Sequence, residues 1–100
     1  MIKHIVMFKL NQTYQGDERQ SIATHLKNLL DSLPEKISEI KLLEVGLDIS
    51  HSARSADMVL VTAFNDSAAL DRYQNHNDHQ EVVTVIRQHV SESWVVDYDC

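Results

Sequence analysis

Apolar residues fall on both parities in the middle of the opening stretch MIKHIVMFKL. Ile2, His4, Val6, Phe8 and Leu10 occupy one side, and Lys3, Ile5, Met7 and Lys9 the other. This alternation predicts a strand whose middle is covered on both faces. NQTYQG breaks the pattern. From Asp17 to Leu33 the apolar residues Ile22, Leu26, Leu29, Leu30 and Leu33 recur at spacings of three and four, which predicts an amphipathic helix. Asp17 and Glu18 suit its positive N-terminal turn, and Pro34 is expected to end it. Residues 36–49 then read as extended, with Gly46 marking a bulge or bend.

SHSARSAD is small and polar and predicts a loop, after which MVLVTAF, residues 58–64, predicts a strand rich in β-branched side chains. Asn65, Asp66 and Ser67 supply N-cap chemistry for a short helix carrying Leu70 and Tyr73. The pattern breaks again at NHND, and a helix is predicted from about Asp78 to His89 with Val82, Val83, Ile86 and Val90 on its apolar face. SESWVVDYD closes the chain as a strand, with Trp94, Val96 and Tyr98 opposite Val95 and Asp97.

The order β, α, β, β, α, β predicts an α+β, ferredoxin-like protomer with a four-stranded antiparallel sheet and helices on one face. Residues 1–100 are expected to form a single domain. Ile5, Met7, Val59, Val61 and Val95 are assigned to the sheet face away from the helices. The simplest cover for that face is a second copy of the chain, so a homodimer is expected.

Charge and cysteine content narrow the classes of function. The formal charge is -6, from 15 acidic and 9 basic residues, which leaves no basic stripe for phosphates and argues against nucleic acid as a partner. No apolar run approaches the roughly 20 residues that cross a bilayer, and Lys3 and His4 precede no apolar signal core, so a cytoplasmic chain without membrane contact is expected. The lone Cys100 excludes an internal disulfide and fits a reducing compartment.

The candidate chemistry lies in YQNHNDHQ, residues 73–80, together with His4. His79 precedes Val82 and Val83 by three and four residues and so shares the apolar stripe of its helix, while His4 alternates with Ile2, Val6 and Phe8. Tyr73 follows Leu70 by three. The three side chains are expected to converge on one interior pocket, where imidazole and phenol suit acid and base work. Packing is the competing explanation, since buried polar side chains commonly find a backbone partner. Metal binding by the HxxH of His76 and His79 with Asp78 is a weaker alternative, because no second cluster of ligands accompanies it. His76 is expected at the helix break, near the pocket mouth or in solvent. His25 lies beside the stripe of the first helix, His51 in a loop and His89 near a helix end. Gly16 and Gly46, the only glycines, make no phosphate-cradling loop, and no spacing marks a nucleophile elbow.

KHIVMFKL, VLVTAFNDSAALDRY, YQNHNDHQEVV and the terminal VVDYD together resemble the stress-responsive A/B barrel (Dabb) domain across essentially the whole chain. The ordered set Lys3, His4, Phe64, Tyr73, His76, His79, Asp97 and Tyr98 carries the resemblance. It implies that two protomer sheets pack into a dimeric α+β barrel. It also implies a precedent in olivetolic acid cyclase-like plant relatives, which close a linear polyketide by an aldol reaction without metal or organic cofactor. On that precedent His79 is the general base, Tyr73 supports it and His4 lines the pocket, with no cofactor, no metal and a hydrophobic or phenolic small molecule as ligand. One departure is Asn77, which stands where members commonly carry proline after the first histidine of the HPxH stretch. A noncatalytic stress or assembly protein and a cofactor-free monooxygenase of the wider dimeric barrel group are the alternatives. An opening of roughly 300 Å³ or more beside His79 separates a binding protein from a purely structural one.

Overall fold

The computed structural model describes residues 1–100. Its elements are β1 (Ile2–Leu10), α1 (Gly16–Asp31), α2 (Leu33–Lys36), β2 (Leu42–Leu47), β3 (Met58–Phe64), α3 (Ser67–Gln74), α4 (Asn77–Arg87) and β4 (Val90–Asp99). All three strand pairings are antiparallel, in the order β2-β3-β1-β4. The expected ferredoxin-like α+β protomer is therefore present. No helix is long and apolar enough to cross a membrane.

The core lies between the helices and one sheet face. Leu10 and Phe64 from the sheet meet Leu26 and Leu30 from α1, Leu33 from α2 and Tyr73 from α3, all essentially excluded from water. Loop residue Asp57 ties the far end of this layer together. Its carboxylate accepts from the Leu10 backbone N–H at 2.7 Å and from the Arg19 guanidinium at 2.5 Å.

Several local expectations change. Pro34 does not simply end the first helix: α1 stops at Asp31, and Pro34 sits in the first turn of the four-residue α2, where its missing N–H costs nothing. The extended stretch at 36–49 shortens to Leu42–Leu47, because Ile37 is taken into the core at the end of α2. Gly46 makes no bulge and pairs with Val59 in continuous register. A Cβ at Gly46 would stand 3.2 Å from Val59 Cγ1, so this glycine marks a close approach between strands. Val90 opens β4 instead of extending the apolar face of α4.

The β1/β4 register decides which residues face the helices. Val6 is opposite Val95, His4 opposite Asp97 and Phe8 opposite Ser93. Directly opposed residues share a face, and His4, Val6 and Phe8 are buried under the helices. Val95 therefore lies on the helix side, a correction to its expected place on the free face. Trp94, Val96 and Tyr98 take the free face, opposite Met7, Ile5 and Lys3. Met7, Leu42, Trp94, Val96 and Tyr98 are all exposed there.

Candidate functional site

Local sequence explains how the candidate side chains are delivered. Asp66 caps α3 by accepting from the Ala69 N–H at 2.8 Å, which starts the helix so that Leu70 and Tyr73 turn into the core. The junction to α4 forms without proline. His76 is extended at the N-cap of α4, its Nδ1 accepts from the Asp78 N–H at 3.1 Å, and Asn77 takes the first helical position. Starting there, α4 turns His79, Val82 and Ile86 toward the sheet.

Three of the expected residues come together. The Tyr73 ring lies between Phe64, with centroids 4.8 Å apart, and His79, with centroids 4.3 Å apart; the His4 ring is 6.4 Å away at a steep angle. A cavity of about 360 Å³ opens between α4 and the β4 edge, and both His4 and His79 line it. Its walls include Val6, Phe8, Leu60, Val82, Ile86 and Val95, and its rim includes Gln74, Arg87, Ser91 and Ser93. Tyr73 lies behind this wall, fully buried. His76 also lies outside the lining, half-exposed and engaged as a helix cap. His25 and His51 are exposed, and His89 bonds the Tyr14 hydroxyl at 2.8 Å.

The two cavity imidazoles have different settings. His79 Nδ1 donates to the Gln74 carbonyl at 3.1 Å, which leaves Nε2 as the free nitrogen. Burial lowers the His79 pKa, the Gln74 bond opposes that shift, and the neighbouring His4 and His76 add to it. The neutral form of His79 is therefore favoured more than that of a free imidazole. His4 is buried, and its Nδ1 meets the Asp97 carboxylate at 2.5 Å. That contact holds the ring and leaves His4 Nε2 for a ligand. The Tyr73 hydroxyl is buried with no hydrogen-bond partner, and burial pushes its pKa up to about 12.

Asp97 joins the site without having been among its expected residues. Its signal was present in the parity of β4, where it falls with Val95, but the parity acquires meaning only once the register against β1 is known. No three side chains among His, Cys, Asp and Glu stand close enough to share a metal ion, and His76 and Asp78 approach each other at 3.6 Å.

The stress responsive A/B barrel domain matches residues 2–100. The chain belongs to this family. It is 32% identical over 100 residues to an uncharacterized protein of Streptomyces coelicolor, covering 99% of each chain. A dimeric protein of ferredoxin-like fold from Bacteroides fragilis, itself of unknown function, superposes with a TM-score of 0.90 at 27% identity, covering 99% of this chain and 95% of that one. A dimeric ferredoxin-like protein from Thermobifida fusca, also of unknown function, gives 0.84 at 25% identity, covering 99% and 90%. The resemblance seen in the sequence and the architecture seen in the fold thus agree.

Proposed function

We propose that the protein is a homodimer, joined through its open sheet face, that binds a hydrophobic or phenolic carbonyl compound beneath α4 and catalyses cofactor-free proton abstraction beside the carbonyl. Cyclisation and isomerisation both begin with that step. The observation that carries the reading is the pair of differently set imidazoles, His4 and His79, on the wall of one largely apolar cavity.

His79 takes the proton at Nε2. Its neutral state supplies the lone pair, and the Gln74 carbonyl stabilises the imidazolium that forms. The C–H bonding pair becomes the enolate, and His4, its Nδ1–H held by Asp97, turns the Nε2 lone pair to the cavity, where it orients the ligand by accepting from a phenol or enol hydroxyl. Tyr73 packs its ring on His79 and supports it by holding the imidazole in place, while its hydroxyl bonds to no group of the chain. Dimerisation is supported by the exposed apolar side chains of the free face and by the dimeric state of the Bacteroides and Thermobifida relatives.

Deuterium uptake into the methyl group of 4-hydroxyacetophenone in D2O, followed by proton NMR, tests the reading. Wild type is expected to accelerate exchange over buffer, and His79→Leu to lose roughly 100-fold or more of that acceleration while remaining folded. Exchange at the buffer rate, with no shift of cavity resonances, would leave a noncatalytic stress protein whose histidines serve packing.

A further inference from the structure

The cavity mouth carries a feature that proton abstraction does not use. Arg87, the last residue of α4, lines the cavity and is exposed at its rim, with no hydrogen bond or ion pair to any other side chain. By contrast, Arg19 is bound to Asp57 and Arg72 to Glu39. Ser93 lies on the helix side of β4, opposite Phe8, and its hydroxyl has no partner within the chain. Glu92, opposite Lys9, also lines this rim but makes no ion pair with Arg87. The polar end of the cavity thus carries one carboxylate, Glu92, beside a guanidinium and a hydroxyl that bond to no group of the chain, in a chain of net charge -6.

We propose that Arg87 is the specificity-determining residue of the cavity and binds a carboxylate at one end of the ligand. This deepens the proposed function and rests on it, by naming the substrate class as an amphipathic oxo-acid. The apolar body lies along Val82, Ile86 and Val95, the carboxylate takes the two-pronged guanidinium with Ser93 as an added donor, and the reacting carbonyl reaches His4 and His79. Arg87 follows His79 by eight residues on one helix, an axial separation of about 12 Å, so the carboxylate and the reacting carbon stand on the order of 10 Å apart.

Binding of 7-oxooctanoate and of 2-octanone, which has the same chain length without the carboxylate, is measured by proton–nitrogen NMR titration of wild type, Arg87→Gln and Arg87→Lys. Wild type is expected to bind the oxo-acid at least about ten-fold more tightly than the ketone, with the largest shifts in α4 and β4 and a preference that weakens as salt is added. Arg87→Gln should bind the two probes equally, with ketone affinity and thermal stability unchanged, and Arg87→Lys should retain part of the preference. If both probes bind wild type equally, or if Arg87→Gln keeps the preference, the carboxylate anchor is overturned and the cavity reading stands. If neither probe shifts His79 or Val82 resonances, the cavity reading falls and takes the anchor with it.

Discussion

His4 and Asp97 stand 93 residues apart in the chain, yet the imidazole Nδ1 and the carboxylate meet at 2.5 Å because β1 and β4 place them directly opposite each other. The imidazole is buried and the carboxylate is partly open to water. Removing the acceptor leaves a buried N–H with no partner. Asp97→Ala is therefore expected to cost about 1 to 3 kcal/mol, and Asp97→Asn less, because the amide oxygen still accepts. Urea unfolding at matched subunit concentration measures both, and nitrogen-detected NMR of the His4 ring should show the fixed Nδ1–H tautomer loosened in the alanine variant.

Tyr73 makes the opposite prediction. Its hydroxyl is buried without a partner, so Tyr73→Phe removes a group that is already desolvated and unsatisfied. Stability should be unchanged or higher by up to about 1 kcal/mol, and proton abstraction should persist, because the ring that packs on His79 is kept. A pH series adds a second signature. The folded pKa, about 12, lies above the ordinary 10, so between those values the folded state holds a proton that the unfolded state has released. Wild-type stability should then fall through that window, by up to about 1.4 kcal/mol per pH unit from this group, relative to Tyr73→Phe.

These two residues also show how far the sequence could be read. Strand parity and helical spacing were enough to send His4, Tyr73 and His79 inward, because each sits in a strongly periodic apolar pattern. Parity alone misplaces Val95 and passes over Asp97, because the more apolar parity of β4, Trp94, Val96 and Tyr98, is the one that faces away from the helices, and nothing local says so. Register is a property of two strands, and it became readable only with β1 beside β4. Gly46 was misread for a related reason. A glycine within a strand signals either a bulge or a close neighbour, and only the position of Val59 distinguishes them. The capping role of His76 was hidden by the rarity of histidine as an N-cap.

His79 has its own pH signature. Burial holds its pKa below the usual 6.5, so in mild acid the unfolded state binds a proton that the folded state refuses. The stabilising difference is complete above the unfolded pKa and is lost as pH falls through that value toward the lowered folded one. His79→Leu should thus be less acid-sensitive than wild type when unfolding is compared at pH 5 and pH 8. Proton NMR of the His79 ring should give a midpoint below 6.5. A midpoint at or above that value would contradict a base held neutral.

On the far side of the sheet, Met7 is opposite Trp94 and Ile5 opposite Val96, and Met7, Trp94 and Val96 are all exposed. A cluster of this kind on a folded chain loses solvent-accessible apolar area when a like face covers it. Introducing a charge reverses that gain. Val96→Lys would bring an ammonium onto this face beside Ile5. Sedimentation equilibrium should give twice the 11.5 kDa chain mass for wild type and the single chain mass for Val96→Lys at the same concentration. Val96 points away from the cavity, so the monomeric variant should keep the His4–Asp97 contact and the deuterium exchange that depends on His79. Monomeric wild type would remove the assembly from the proposed function and leave the cavity chemistry untouched. Loss of exchange on dissociation would mean instead that the second sheet is needed to hold β4, and with it Asp97, in register.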